Sequence, residues 1–257
     1  MGDDPVMHAG TKPFVEHLND LRSTILWSLV ALGAGILTAL PLAPVVLRLL
    51  KIPVAKAGED PDTFLRVLRM TGGLSITLRI TFWGGLLLSL PFILIVVARF
   101  VFPGLTRRER RAIMSSLWYA VALFAAGVAS GYFMVLPPVI ELMLKINSWL
   151  GIQCEFVELG DYVSFVLRLL IAFGLAYELP VVVVVLGYLG IVTSVLLRKF
   201  RRHVIVGLLL VAMLLTPPDP LSQILMALPL MLLYEVSIWV VWARERVGKP
   251  TEDRFSK

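Results

Sequence analysis

A proline-rich hairpin between two apolar segments constrains this chain more than any other sequence feature. The hairpin, residues 213–223, reads MLLTPPDPLSQ, and each proline fixes its own φ and lacks an amide donor. The helix that enters the hairpin from Val204 is therefore predicted to end near Thr216, and a second helix to begin at Leu221. The first segment has 13 residues and spans about 20 Å, whereas a hydrocarbon core is about 30 Å thick. A membrane helix this short either thins the bilayer or leans on its neighbours.

Long apolar runs bounded by charge clusters extend over most of the chain. Of the 257 residues, 58% are hydrophobic and 16% are charged, a balance that indicates a polytopic membrane protein. We predict an all-α fold in one integral membrane domain, with six transmembrane helices of which the last two are short. The predicted spans are about 24–47, 74–102, 112–136, 162–189, 204–216 and 221–242.

The basic residues predict how these spans are oriented. An even number of spans puts both termini on one side. The basic residues of that side would lie in the two terminal segments, in the connection between the second and third spans and in the connection between the fourth and fifth. They are Lys12, Arg22, Arg99, Arg107, Arg108, Arg110, Arg111, Arg198, Lys199, Arg201, Arg202, Arg244, Arg246 and Lys249. The other side has fewer, mostly in one loop. The positive-inside rule therefore places both termini in the cytoplasm and the protein in the cytoplasmic membrane.

Several other features of the sequence limit the classes of protein. The first 23 residues lack an apolar core and a cleavage site, so we expect no removable signal peptide. A single cysteine, Cys154, excludes a disulfide framework, and GxSxG and HExxH motifs are absent. We expect neither an enzyme nor a cofactor or metal. The net charge of +6 comes from connections beside membrane spans, so we expect no nucleic-acid partner. The outer loops, 48–73 and 137–160, are expected to form short helices that cap the outer face.

Glu178 is the first candidate functional residue, because it lies well inside the fourth span. A carboxyl at mid-bilayer costs about 2.5–3.5 kcal/mol on insertion scales, so it should face protein or water. Pro180 should free the carbonyl near Ala176 and add a polar notch beside it. One interpretation is an intramembrane polar patch that engages another polar group. The other is a structural carboxyl, protonated or paired with Arg168.

Two further sets of polar residues each have two interpretations. Gln223 and Thr216 frame the hairpin near the outer boundary and either bind a partner helix or form an ordinary turn with Ser222 as a cap. Asp20 precedes the first span, and Glu109 lies among four arginines. Two carboxylates brought together can hold two adjacent arginine side chains through charge-assisted hydrogen bonds. Alternatively, this charge run is a solvated anchor.

Five ordered motifs, within about residues 14–242, resemble those of the TatC family of twin-arginine translocase proteins. They are HLxxLR at 17–22, FPGL at 102–105 with ERR at 109–111, FG at 173–174 with ELP at 178–180, LTPPDP at 215–220 with SQ at 222–223, and Pro229 with LYE at 233–235. The family usually has Glu at the position of Asp20, and an aromatic, amide-rich stretch where this chain has the apolar segment 95–98.

The resemblance implies a signal-peptide receptor and core subunit of a translocase that exports folded proteins with the proton-motive force. It implies that Glu109 and Asp20 read the arginine pair of the signal peptide, with Glu16 as a substitute for Asp20 and Arg22 beside them. Glu178 would line a concave polar patch. Partner docking is implied for Thr216, Gln223 and Met213, which would bind single-span subunits of the TatA and TatB type in an oligomeric complex surrounded by membrane lipid.

Two other functions fit the same residues. A proton-coupled small-solute carrier would use Glu178 as its coupling carboxyl and would move solute without partner subunits. A passive scaffold would bind no ligand through Glu109. A preference for paired arginines distinguishes the receptor from both.

Overall fold

The described chain is almost entirely helical. The computed structural model describes residues 14–101, 107–151, 156–188, 190–215 and 220–247. Its α-helices are α1 (Phe14–Lys56), α2 (Pro61–Phe64), α3 (Gly72–Arg79), α4 (Gly85–Val101), α5 (Arg107–Ser130), α6 (Leu136–Trp149), α7 (Leu159–Ala176), α8 (Leu179–Tyr188), α9 (Ser194–Leu215) and α10 (Pro220–Val247). A π-helical turn, Ile80–Gly84, joins α3 to α4, and a second, Gly131–Val135, joins α5 to α6.

Five helical segments in these ranges are long and apolar enough to cross a membrane. They are Leu18–Lys56, Gly72–Ala98, Trp118–Trp149, Leu159–Gly187 and Gln223–Arg246. The predicted all-α, polytopic membrane class is therefore confirmed. The predicted span 204–216 is not among the five, because it forms only the apolar half of α9. The count of six spans and the side of the termini stay predictions.

Several helices extend beyond the predicted spans. Helix α9 begins at Ser194, ten residues before the predicted fifth span, and α10 continues to Val247. The third span continues beyond 136 through Pro137 and Pro138 to the end of α6. These prolines occupy the first turn of α6 after the π-helical turn, where a missing amide donor costs little. The outer loop 137–160 is therefore largely a continuation of the third span.

Two glycines allow α1 and α4 to pack closely in antiparallel directions. A Cβ atom added to Gly85 would lie 2.7 Å from the Cα atom of Ile36, and one added to Gly35 would lie 3.0 Å from Ser89 Cβ. Any larger residue at either position would push the two backbones apart. This contact aligns the first two spans.

Helix α7 forms the centre of the bundle. Val163, Val166, Leu169 and Phe173 are completely buried, facing neighbours from several elements. Phe173 packs against Gly131, since a Cβ added to that glycine would lie 3.1 Å from Phe173 Cβ. Helices α5 and α7 therefore run side by side through the membrane region.

The outer loops are joined by a short parallel strand pair. Strand β1 (Leu65–Arg66) pairs with β2 (Val157–Glu158), so Leu65 lies opposite Val157. Lys51 at the end of α1 also binds Asp62 with an N–O distance of 2.6 Å. The expected cap of the outer face thus contains a two-residue ribbon besides helices, which the sequence did not predict.

Two tyrosine hydroxyl groups hydrogen-bond to α1 close to Pro53, which lies inside this continuous helix. Pro53 lies inside α1 and has no N–H to donate to the carbonyl oxygen of Leu49, four residues earlier. The Tyr132 hydroxyl donates to that oxygen at 2.5 Å. The Tyr162 hydroxyl donates to the next carbonyl, that of Leu50, at 2.6 Å. Tyrosines from the third and fourth spans therefore supply polar contacts at a proline break in the first.

We expect Tyr132→Phe to lower the free energy of unfolding by about 1 kcal/mol, the usual net contribution of one hydrogen bond. In a Pro53→Ala background the loss should be about half as large or less, because residue 53 then donates to Leu49. Unfolding in mixed micelles by denaturant titration measures both values, and the double-mutant cycle isolates the coupling.

Tyr119→Phe is the matched control, because this tyrosine is 69% exposed and should tolerate loss of its hydroxyl. Equal losses for Tyr132→Phe with proline or alanine at position 53 would show that the hydroxyl does not replace the missing amide.

Candidate functional site

The helices that carry the predicted arginine-reading residues begin at the same end of the bundle. Helix α4 runs antiparallel to α1, since Gly35 meets Gly85 whereas Ala39 lies near Gly84. Gly127 of α5 lies against Tyr177 and the following Gly131 lies against Phe173, so α5 runs antiparallel to α7. Arg79 contacts Asp161 and Trp83 contacts Arg168, so α7 runs in the same direction as the second span. Since the second span is antiparallel to α1, α5 runs parallel to α1. The topology therefore places the first turns of α1 and α5 on one side of the membrane region.

Two of the four predicted residues at this end have described side chains. Asp20 is partly buried and Arg22 is exposed, both in the first turns of α1. The Thr24 hydroxyl donates to the Asp20 carbonyl at 2.9 Å, an ordinary contact within a helix. Glu16 lies in α1 and Glu109 in α5, but their side chains are outside the described part of the structure. The arginine-reading role of these four residues stays a prediction.

Glu178 lies at a break between two helices inside the fourth span. Helix α7 ends at Ala176 and α8 begins at Leu179, inside the predicted span 162–189 and next to Pro180, for which only a freed carbonyl near Ala176 was predicted. The Glu178 amide donates to Leu175 at 3.1 Å, and the Glu178 carbonyl accepts from Val182 at 3.0 Å. The break is therefore a tight turn with its backbone hydrogen bonds largely retained.

The Glu178 side chain is buried without a polar partner among the described residues. It is 7% exposed, and its Oε1 atom accepts no hydrogen bond there. Arg168, its predicted alternative partner, lies against the Trp83 ring instead, with 5.3 Å from Cζ to the ring centre. The two residues are ten positions apart, about 15 Å along a helix. The paired-carboxyl interpretation with Arg168 is therefore wrong.

A second polar contact lies beside Glu178. The Tyr177 hydroxyl donates to Ser130 Oγ at 2.7 Å, joining the end of α7 to the end of α5. Sequence reasoning missed this pair, because only packing brings the two residues together. The intramembrane polar patch at Glu178 stays a prediction.

The proline hairpin joins α9 and α10. Gln223 Nε2 donates to the Leu209 carbonyl at 2.9 Å, across the hairpin. Met213 is 49% exposed near the end of α9. Thr216 lies outside the described residues. The structure thus gives Gln223 a role within the hairpin and leaves Met213 on its apolar surface.

The opposite ends of α9 and α10 are held by polar contacts. Arg201 binds Glu235 in a two-bond arrangement, with Nε–Oε1 at 2.7 Å and Nη2–Oε2 at 2.8 Å. Glu245 accepts from the backbone amide of Ser194 at 2.8 Å and from its hydroxyl. These contacts fix the start of α9 against the end of α10. Within the described ranges, no cluster of His, Cys, Asp and Glu side chains can hold a metal ion.

Comparison with known proteins identifies the family. The model of the family "Sec-independent protein translocase protein (TatC)" matches residues 16–229. The Sec-independent protein translocase protein TatC of Escherichia coli strain K12 is 34% identical over 239 residues, 93% of this chain and 91% of that protein. The TatC protein of Aquifex aeolicus strain VF5 is 36% identical over 230 residues, 89% of this chain and 94% of that protein.

A solved structure has the same fold. The crystal structure described as the twin arginine translocase receptor TatC superposes with a TM-score of 0.79 at 34% identity, covering 88% of this chain and 97% of that one. The resemblance inferred from the five motifs is therefore confirmed. This chain belongs to the TatC family of Sec-independent protein translocase proteins.

Proposed function

We propose that this chain is the signal-peptide receptor and core subunit of a twin-arginine translocase in the cytoplasmic membrane. The observation that carries the proposal is the placement of Asp20 and Glu109 in the first turns of α1 and α5, at one end of the bundle. Both solved structures compared are described as the twin arginine translocase receptor. In this proposal both termini are cytoplasmic and transport draws on the proton-motive force.

The proposed chemistry at this end is recognition of paired guanidinium groups. Each carboxylate accepts two parallel, charge-assisted hydrogen bonds from one arginine, a geometry that lysine cannot reproduce. Asp20 is one methylene shorter than the usual Glu, so its partner arginine has to approach the helix more closely. Glu16, one turn earlier on α1, offers a second carboxylate. Arg22 would set the position of the site by repelling a misplaced cation.

We expect a signal peptide with an arginine pair to photocrosslink to this chain about tenfold more strongly than one with a lysine pair. Glu109→Gln and Asp20→Asn should each remove most of that preference, because a hydrogen bond to a charged group contributes about 1.5–3 kcal/mol. Asp20→Glu should keep it. The measurement is labelling yield in membranes at equal protein amounts.

Glu59→Gln is the control for this experiment, since it makes the same chemical change near the other end of α1. Equal labelling by both peptides in the native chain would contradict the receptor proposal and support a passive scaffold.

The buried carboxyl of Glu178 is proposed to serve the translocase as a polar docking point inside the membrane. An orphaned buried oxygen loses its hydration without gaining a hydrogen bond, so a polar group from another helix would stabilise it. The Tyr177 hydroxyl already hydrogen-bonds to Ser130 Oγ, whereas Glu178 Oε1 has no hydrogen-bond partner among the described residues.

A proton-coupled solute carrier would instead use the Glu178 carboxyl to bind and release protons. Measuring solute uptake distinguishes this carrier from a translocase subunit. We expect proteoliposomes containing this chain alone to show no proton-coupled solute uptake. Glu178→Gln should then leave the background leak unchanged but reduce export by the assembled translocase at least tenfold. Tyr177→Phe, which changes the neighbouring polar pair, controls for general disturbance of the break. Uptake by the native chain alone, lost in Glu178→Gln, would favour the carrier.

The hairpin of α9 and α10 is proposed to dock single-span partner subunits of the TatA and TatB type. The Gln223 amide already bridges the two helices through one Nε2 hydrogen, and its second hydrogen and its Oε1 atom would bind the partner. Met213, together with Thr216, would provide the adjoining surface. We expect Met213→Ala and Gln223→Leu each to weaken partner binding by about threefold to thirtyfold.

Co-purification from the membrane at several partner concentrations measures this loss. Asn147→Leu is the matched control, because Asn147 is a partly buried amide elsewhere at the outer side. Met213→Ala preserves the Gln223–Leu209 hydrogen bond, so a loss in Gln223→Leu alone would indicate hairpin damage and would contradict docking at Met213.

A further inference from the structure

Arg168 is a cation exposed inside a membrane span. It is the tenth residue of the candidate span Leu159–Gly187 and is exposed on α7. Its guanidinium carbon lies 5.3 Å from the centre of the Trp83 ring. In the part of the chain that the structure describes, no carboxylate lies within ion-pair distance of it.

A second arginine nearby, unlike Arg168, has hydrogen-bond acceptors for its guanidinium group. Arg79, one turn before Trp83, donates to Asp161 Oδ1 at 3.0 Å and to Ser164 Oγ at 3.1 Å. Asp161 lies seven residues before Arg168 and on the same face of α7. This carboxylate is therefore two turns away and already bound. Arg168 has an aromatic contact but its N–H donors have no acceptor among the described residues.

The depth of the Trp83 ring limits what can complete the site. Trp83 lies in the π-helical turn, a form often found at functional sites. In the span Gly72–Ala98, it is about 17 Å from the outer end and about 23 Å from the inner end at 1.5 Å per residue. With the bilayer centred on this span, the ring and the guanidinium beside it lie near the middle of a hydrocarbon core about 30 Å thick. A lipid phosphate stays at the bilayer surface, whereas a side chain on a transmembrane helix meets the guanidinium at its own depth.

We propose that Arg168 and Trp83 form a docking point for a transmembrane helix of a partner subunit that carries Asp or Glu at this depth. A cation in hydrocarbon gains most from an opposite charge, and a carboxylate matches the donor fork of arginine. The site lies on α7 and the second span, apart from the α9–α10 hairpin. It rests on the proposed function only in requiring a single-span partner.

The test uses the full chain in phosphatidylcholine vesicles with a synthetic single-span Leu/Ala peptide. One peptide has Glu about 17 Å from its outer end, a second has Gln there, and a third has Glu about 6 Å from that end. Association is measured by fluorescence energy transfer. We expect the first peptide to bind about threefold to thirtyfold more tightly than the other two.

Variants assign this preference to Arg168. Arg168→Met should abolish it, and Arg168→Lys should retain part of it. Arg48→Met, which removes an exposed cation from the outer end of α1, should leave it unchanged. The native chain binding the Glu and Gln peptides equally, or an unchanged preference in Arg168→Met, would overturn the proposal.

The alternative ligand of Arg168 is a lipid phosphate. Native mass spectrometry with added phosphatidylglycerol measures how much lipid the native chain and Arg168→Met bind. Loss of bound lipid in Arg168→Met, together with an unchanged peptide preference, would overturn the proposal and assign Arg168 to a lipid phosphate. Arginine-pair labelling is read at Glu109 and Asp20, so a failure here is distinguishable from failure of the proposed function.

Discussion

The absence of water from the hydrocarbon core is the constraint on which this structure depends. Every backbone group freed by a proline must find a donor or acceptor within the protein. Pro53 leaves the Leu49 carbonyl without its helical donor, and Tyr132 supplies one from another span. The carbonyl freed by this proline is therefore also a place where two spans are tied together. At Pro53 the helix thus keeps a donor for the freed carbonyl.

The same constraint singles out the groups that remain unsatisfied. Arg79 is bound by Asp161 and Ser164, and Arg201 by Glu235. Glu178 and Arg168, by contrast, have no ionic or hydrogen-bonding side-chain partner among the described residues. Both are on the central fourth span, at different depths, and their separation prevents them from neutralising each other. A protein that assembles with other membrane helices can complete such groups on assembly, which links its incomplete polar sites to its proposed function.

Much of the fold could be predicted from the chain because membrane helices obey local rules. Apolar run length indicated the spans, and prolines indicated a polar notch beside Glu178 and the hairpin after α9. The prediction was less successful at helix ends. Helix α9 begins at Ser194 and α6 continues through Pro137 and Pro138, because hydropathy locates the apolar part of a helix and not its hydrogen-bonded limits.

The sequence by itself determined the membrane class, the family motifs and the positions of the ionisable residues, since each is a local property of the chain. Only the tertiary structure decided which of these residues meet. It paired Tyr177 with Ser130, placed Arg168 beside Trp83 and gave Gln223 a partner in Leu209. Such contacts depend on helix rotation and depth, which close glycine packing and π-helical turns set. No local pattern encodes them, because a rotation of one helix by a single residue changes every partner.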